Sequence, residues 1–116
     1  MGLNTAAKNE MLDHLATVIG FVSAHSADPG ADGANELSGG TPPYARQAVT
    51  WGPSVDGVLP STNDPEFNVP AGATVAFVGF WTEATGGVFH GSGEVDAEVY
   101  NGQGVYTTES ITLTAS

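Results

Sequence analysis

Apolar residues recur in this chain with two periods, and the change between them separates a short first element from the rest. Met11, Leu12, Leu15 and Ile19 recur at helical spacing and so share one face of a helix. Lys8, Glu10 and Asp13 lie off that stripe, and Asn4 or Thr5 can cap the start, which predicts an amphipathic helix over residues 5–16. A helix of this length is marginal alone in water, so it is expected to lie over one end or face of a sheet. From Thr17 onwards the pattern is that of strands.

Strands are predicted over residues 18–25, 44–51, 55–59, 66–69, 74–81, 88–91, 94–100 and 105–113. The strongest is Thr74-Val75-Ala76-Phe77-Val78-Gly79-Phe80-Trp81. Strict alternation places Val75, Phe77 and Trp81 on one side of it and Ala76, Val78 and Phe80 on the other. Apolar side chains on both faces imply a central strand covered from two sides, with Phe77, Val78, Phe80 and Trp81 buried. Gly79 would allow a neighbouring ring or backbone to approach closely. Ala84-Thr85-Gly86-Gly87 reads as a hairpin turn. Short strands at this spacing predict a mainly β fold, an antiparallel β-sandwich of Ig-like or jelly-roll-like kind with a short N-terminal α-helix. The pattern contains neither a repeat nor a linker, so residues 1–116 are expected to form a single domain.

Composition sharpens this picture in two places. Sixteen glycines and seven prolines supply the turns, and many of them fall in residues 26–43, where no helix can persist. That segment reads as a long loop added to a minimal sandwich, so deleting residues 35–40 is expected to leave the fold intact. Thirteen carboxylates face only Lys8 and Arg46, a formal net charge of -11. Such a surface repels phosphate backbones and anionic lipid, which argues against nucleic-acid and membrane partners. There is no cysteine, hence no disulfide and no thiolate metal site. No stretch reaches the roughly 20 apolar residues a membrane span needs. The start lacks a basic n-region, so synthesis in a cytoplasm is expected.

The chemistry-bearing residues do not assemble a catalytic motif. Ser23, His25 and Asp28 are near one another, yet alternate strand residues share a face for geometric reasons, and no G-x-S-x-G elbow accompanies them. Asp28, Asp32 and Glu36 could converge in a curled loop, but Gly30 and Gly39 occupy positions where an EF-hand requires ligands. Glu94, Asp96 and Glu98 alternate on a strand and read as a solvated face. No cofactor or metal is expected. Arg46, one of the two basic residues, stands in an apolar strand beside the acidic loop. Its planar guanidinium is expected to pair with Asp28, Asp32 or Glu36 and pin the loop, or to reach a neighbouring chain. Asp28, Asn35, Glu36, Tyr44 and Arg46 are therefore the candidate loop-anchor or interface residues.

Several segments together resemble a known family. They are residues 3–9 (LNTAAKN) with Leu12 and Leu15, Asp28-Pro29, residues 35–40 (NELSGG), residues 44–49 (YARQAV), Val69-Pro70-Ala71 and Gly79-Phe80-Trp81. The resemblance is to small tailed-phage virion proteins commonly labelled tail-fibre or minor tail proteins, especially of phages of actinobacteria. It implies a non-enzymatic virion structural protein, made in the host bacterial cytoplasm and associated with other virion proteins in repeated copies. It brings no catalytic residues. A capsid decoration protein on the outer head is the alternative within that class. A glycan-binding module, using Trp51, Tyr100 or Tyr106 as stacking platforms, is the alternative from another class.

Overall fold

The computed structural model describes residues 3–109 and 111–115. The helix α1 (Thr5–Val18) starts at Asn4, whose side-chain oxygen accepts from the Ala7 backbone N–H at 2.9 Å. It ends where Ile19 turns extended and donates its N–H back to the Leu15 carbonyl. The helix is longer than predicted, because Thr17 and Val18 continue it before the first strand begins. Leu12 and Ile19 are buried and Leu15 is half-buried, whereas Met11, expected on the same face, is 49 % exposed. Ser54 and Gly57 hold the helix from outside: the Ser54 hydroxyl meets Asp13 at 2.6 Å and the Gly57 N–H donates to the Asn9 side chain at 2.9 Å.

Among the described residues eight strands follow: β1 (Phe21–His25), β2 (Gln47–Ala48), β3 (Val58–Pro60), β4 (Glu66–Val69), β5 (Thr74–Trp81), β6 (Phe89–Val99), β7 (Gly104–Thr107) and β8 (Thr112–Thr114). All pairings among them are antiparallel. They form one four-stranded sheet in the order β2-β1-β5-β6, and two ribbons, β3-β8 and β4-β7. This is the mainly β antiparallel fold with a single N-terminal helix that the sequence predicts. The second layer, however, is two separate ribbons rather than one sheet.

The pairing of β1 with β5 decides what each face carries. Val22 lies opposite Phe80 and Ala24 opposite Val78, and all four point into the core together with Phe67 and Val69 of β4. The alternate positions, Ser23 opposite Gly79 and Phe21 opposite Trp81, share the other face. Val75 breaks the simple alternation expected for β5. It is fully buried in the core with Val78 and Phe80, at the point where the pairing with β6 is irregular, between Val75 and Phe77. Phe77 is correspondingly only half-buried.

Three other expectations change with tertiary context. Residues 44–51 contain only a two-residue strand and, at Trp51, an isolated bridge to Ser61. The strand expected over residues 105–113 is two strands belonging to different ribbons. The two strands expected at 88–91 and 94–100 are one continuous β6.

Candidate functional site

The loop of residues 26–43 lies over the second face of the sheet, and one side chain organises the contact. Arg46 leaves the chain just before β2 and forms a forked pair with Glu36: Nε to Oε2 and Nη2 to Oε1, both at 3.0 Å. Its Nη1 donates to the backbone carbonyls of Glu83 at 3.1 Å and Gly86 at 2.8 Å, in the connection between β5 and β6. The guanidinium carbon sits 3.5 Å from the centroid of a Trp81 ring, within cation–π range. One arginine thus ties together the loop, the hairpin connection and the central strand. A lysine could not do this, because it lacks the flat fork that meets a carboxylate twice while stacking on a ring.

Glu36 is held from both sides. Tyr44 donates its hydroxyl hydrogen to Glu36 Oε2 at 2.8 Å and accepts the Ala24 backbone N–H at 2.9 Å. Burial pushes the Tyr44 phenol well above its ordinary range, and the neighbouring Glu36 carboxylate adds to the shift against the opposing bond from Ala24. Tyr44 therefore stays protonated and remains a donor. Its ring stacks on Phe67, 5.9 Å between centroids, which connects the loop anchor to the core on the opposite side of the sheet.

Beneath the arginine runs a buried chain of hydrogen bonds. Ser23 Oγ and His25 Nε2 are 2.6 Å apart, and both residues are fully buried. His25 Nδ1 lies 2.7 Å from the Ala34 carbonyl, an acceptor only, so Nδ1 carries the proton and Nε2 accepts from the serine hydroxyl. Trp81 Nε1 donates in turn to Ser23 Oγ at 2.8 Å. Burial lowers the His25 pKa below the usual value, and the nearby Arg46 charge adds to this against the Ala34 bond and Glu36. Neutral imidazole is the form this network needs. The pair has the spacing of a nucleophile and its base, but its third partner is a backbone carbonyl rather than a carboxylate.

Two glycines make this packing feasible. A Cβ on Gly79 would fall 2.6 Å from Ser23 Oγ and 2.7 Å from His25 Nε2. A Cβ on Gly33 would fall 2.5 Å from the Trp81 ring, and Gly33 also holds a left-handed φ of 78°.

The sequence model of the podophage GP4 fiber I protein gp80 matches residues 2–115. The chain belongs to that family. It is a tail-fibre-type virion structural protein. No curated protein matches it.

The structure places the five candidate residues of this fibre protein in one region with different tasks. Arg46, Glu36 and Tyr44 meet directly, and Glu36 is one of the three carboxylates that the sequence offered to Arg46. Asp28 does not reach the arginine: its carboxylate accepts the Gly30 N–H at 2.8 Å in a local turn. Asn35 adopts a left-handed φ of 64° and donates its side-chain N–H to the Asp28 carbonyl at 3.0 Å, closing the loop on itself. Among the described residues, no three His, Asp or Glu side chains converge as a metal-ligand set. No helix of the described residues is long and apolar enough to cross a membrane.

The loop is also more than an addition to a minimal fold. Leu37 is a member of the core cluster and its N–H donates to the Ala24 carbonyl, while His25 and Glu36 form a backbone bridge. Deleting residues 35–40 would remove these core and strand-edge contacts, so it should destabilise the fold rather than leave it intact. Of the aromatics considered as glycan platforms, Trp51 donates to the Ile19 carbonyl at 2.8 Å and packs against Phe80, and Tyr100 and Tyr106 are half-buried. Sequence reasoning missed Trp81 as the seat of Arg46 and the role of the Ser23–His25 pair. The available signal was two polar residues at alternate positions of an otherwise apolar strand.

Proposed function

We propose that this chain is a non-enzymatic structural component of the phage fibre. It acts in repeated copies, bound to itself and to other virion proteins, in particle assembly or host contact. The observation that carries this reading is the family match over residues 2–115. Tail association, the minor-tail class, an actinobacterial host and synthesis in the host cytoplasm are the finer parts of the same proposal.

The geometry supports a structural role. Ser23 is fully buried, its hydroxyl is engaged twice, and the histidine beside it is held neutral by burial. Arg46, Glu36 and Tyr44, with Asp28 and Asn35 shaping the loop, stiffen a surface that a neighbouring chain can grip. A standard contact takes about 800 Å² per partner, roughly an eighth of the 6320 Å² surface here.

Immunogold labelling of intact virions with an antibody against this chain tests the placement. Gold at the fibres is the expected result. Gold over the head would support capsid decoration instead, and purified virions without the protein would overturn the structural reading.

A further inference from the structure

Strand β6 is an edge of the four-stranded sheet. A groove of about 470 Å³ opens between it and residues 106–109 with Ile111 and Thr112. Its apolar floor comes from Val78 and Phe80 of β5, Val95 of β6, and Ile111. Glu94, Asp96, Glu98 and Glu109, all exposed, stand around it. The shifted register explains how neighbouring β6 residues of both parities reach one groove. Val75 pairs with Glu98 and Phe77 with Glu94, so the β6 strand carries extra residues there and bows. Tyr106 also lines the groove, and its phenol is raised by burial and then by the charges of Glu98, Asp96 and Glu109. Three carboxylates thus act on one half-buried ring.

A second copy of this chain is a poor occupant. The net charge is -11 with two basic residues, and Arg46 is already engaged with Glu36 and two carbonyls. Placing β6 against β6 of another copy would oppose carboxylates to carboxylates. The bulge also works against continuing the sheet, so recognition must come from side chains. We propose that the groove binds a basic segment of a different protein, presenting an apolar side chain to the floor and flanking lysines or arginines to the rim. Tyr106 offers its ring to one of those cations. The inference rests on the structural reading above, since such a partner would be another virion protein, but the binding step can be tested on the purified chain alone.

The probe is a synthetic peptide of alternating lysine and valine with one central phenylalanine, titrated into the full chain and followed by amide chemical shifts. Shifts should cluster at residues 93–98 and 106–112. The triple variant Glu94→Gln/Asp96→Asn/Glu98→Gln should weaken binding on the order of tenfold. Glu10→Gln/Asp32→Asn/Asp56→Asn removes the same amount of charge from exposed sites elsewhere and should change affinity by less than about threefold. Ile111→Gln, which alters the floor without changing charge, should weaken binding as well. Equal weakening by the two triple variants, or shifts scattered over the whole surface, would show only nonspecific attraction and overturn the proposal. Unchanged affinity in the groove variant would also overturn it, while virion labelling would still score the structural role separately.

Discussion

The two faces of the β1–β5 pair are built from adjacent residues yet held by different physics. On one face Val22, Ala24, Val78 and Phe80 join Phe67 and Val69 in a core with no polar side chain among them. On the other, Ser23, His25 and Trp81 are equally inaccessible but bound by hydrogen bonds, with Arg46 and Glu36 closing the top. The apolar face gains from area removed from water, which is non-directional and tolerates exchange of one hydrocarbon for another. The polar face gains little net from each bond but loses heavily when a partner is left unmatched. The first should therefore respond to lost volume, and the second to lost complementarity.

The largest effect is expected on the apolar face. Phe80→Ala should cost about 3–5 kcal/mol in urea unfolding, a large part of the stability of a small domain. Conservative Phe80→Leu should cost much less. If both cost the same, hydrocarbon volume is not what that face responds to.

On the polar face, Arg46→Ala should cost about 2–4 kcal/mol, because it leaves the Glu36 carboxylate partly buried without its cation, with only the Tyr44 hydroxyl still donating to it. Arg46→Lys should recover little of this, in contrast to the conservative exchange at Phe80. A double-mutant cycle of Arg46→Ala with Glu36→Gln should give a coupling of about 1–3 kcal/mol. Strict additivity of the two changes would mean that the fork is not an energetic unit.

A third test uses pH. Folding lowers the His25 pKa below its ordinary 6.5, so the unfolded chain binds the proton more readily than the folded one. Stability from this residue is complete above pH 6.5 and is lost as pH falls towards the folded value, with a slope of at most about 1.4 kcal/mol per pH unit. The groups facing the ring are Ser23, the Ala34 carbonyl, Glu36, Arg46 and Phe89. Unfolding free energies measured across this range should show the slope in the parent chain and lose it in His25→Gln.

The smallest effect should come from outside both faces. Asp96→Asn lies on the exposed β6 edge and should shift stability by no more than about 0.5 kcal/mol. A larger loss would mean that the carboxylate carries a structural contact, and would change how the groove beside it is understood.

Local pattern by itself determined the bounds of β4 and β5, the presence of a capped N-terminal helix and the antiparallel, turn-rich architecture. Those features follow from spacing, capping chemistry and side-chain branching within a few residues. The scarcity of cations likewise singled out Arg46 beside an acidic loop. Only the folded chain decided that Glu36 rather than Asp28 or Asp32 receives it, since that depends on Tyr44, Trp81 and two hairpin carbonyls distant in sequence. The folded chain also put Val75 in the core beside an irregular stretch of the β5–β6 pairing, divided residues 105–113 between two ribbons, and left Met11 exposed. Alternation along a strand states which side chains share a face. What lies opposite that face, and where a bulge reverses it, is fixed by pairing between remote segments, and the cost of leaving a buried donor or acceptor unmatched selects among the pairings.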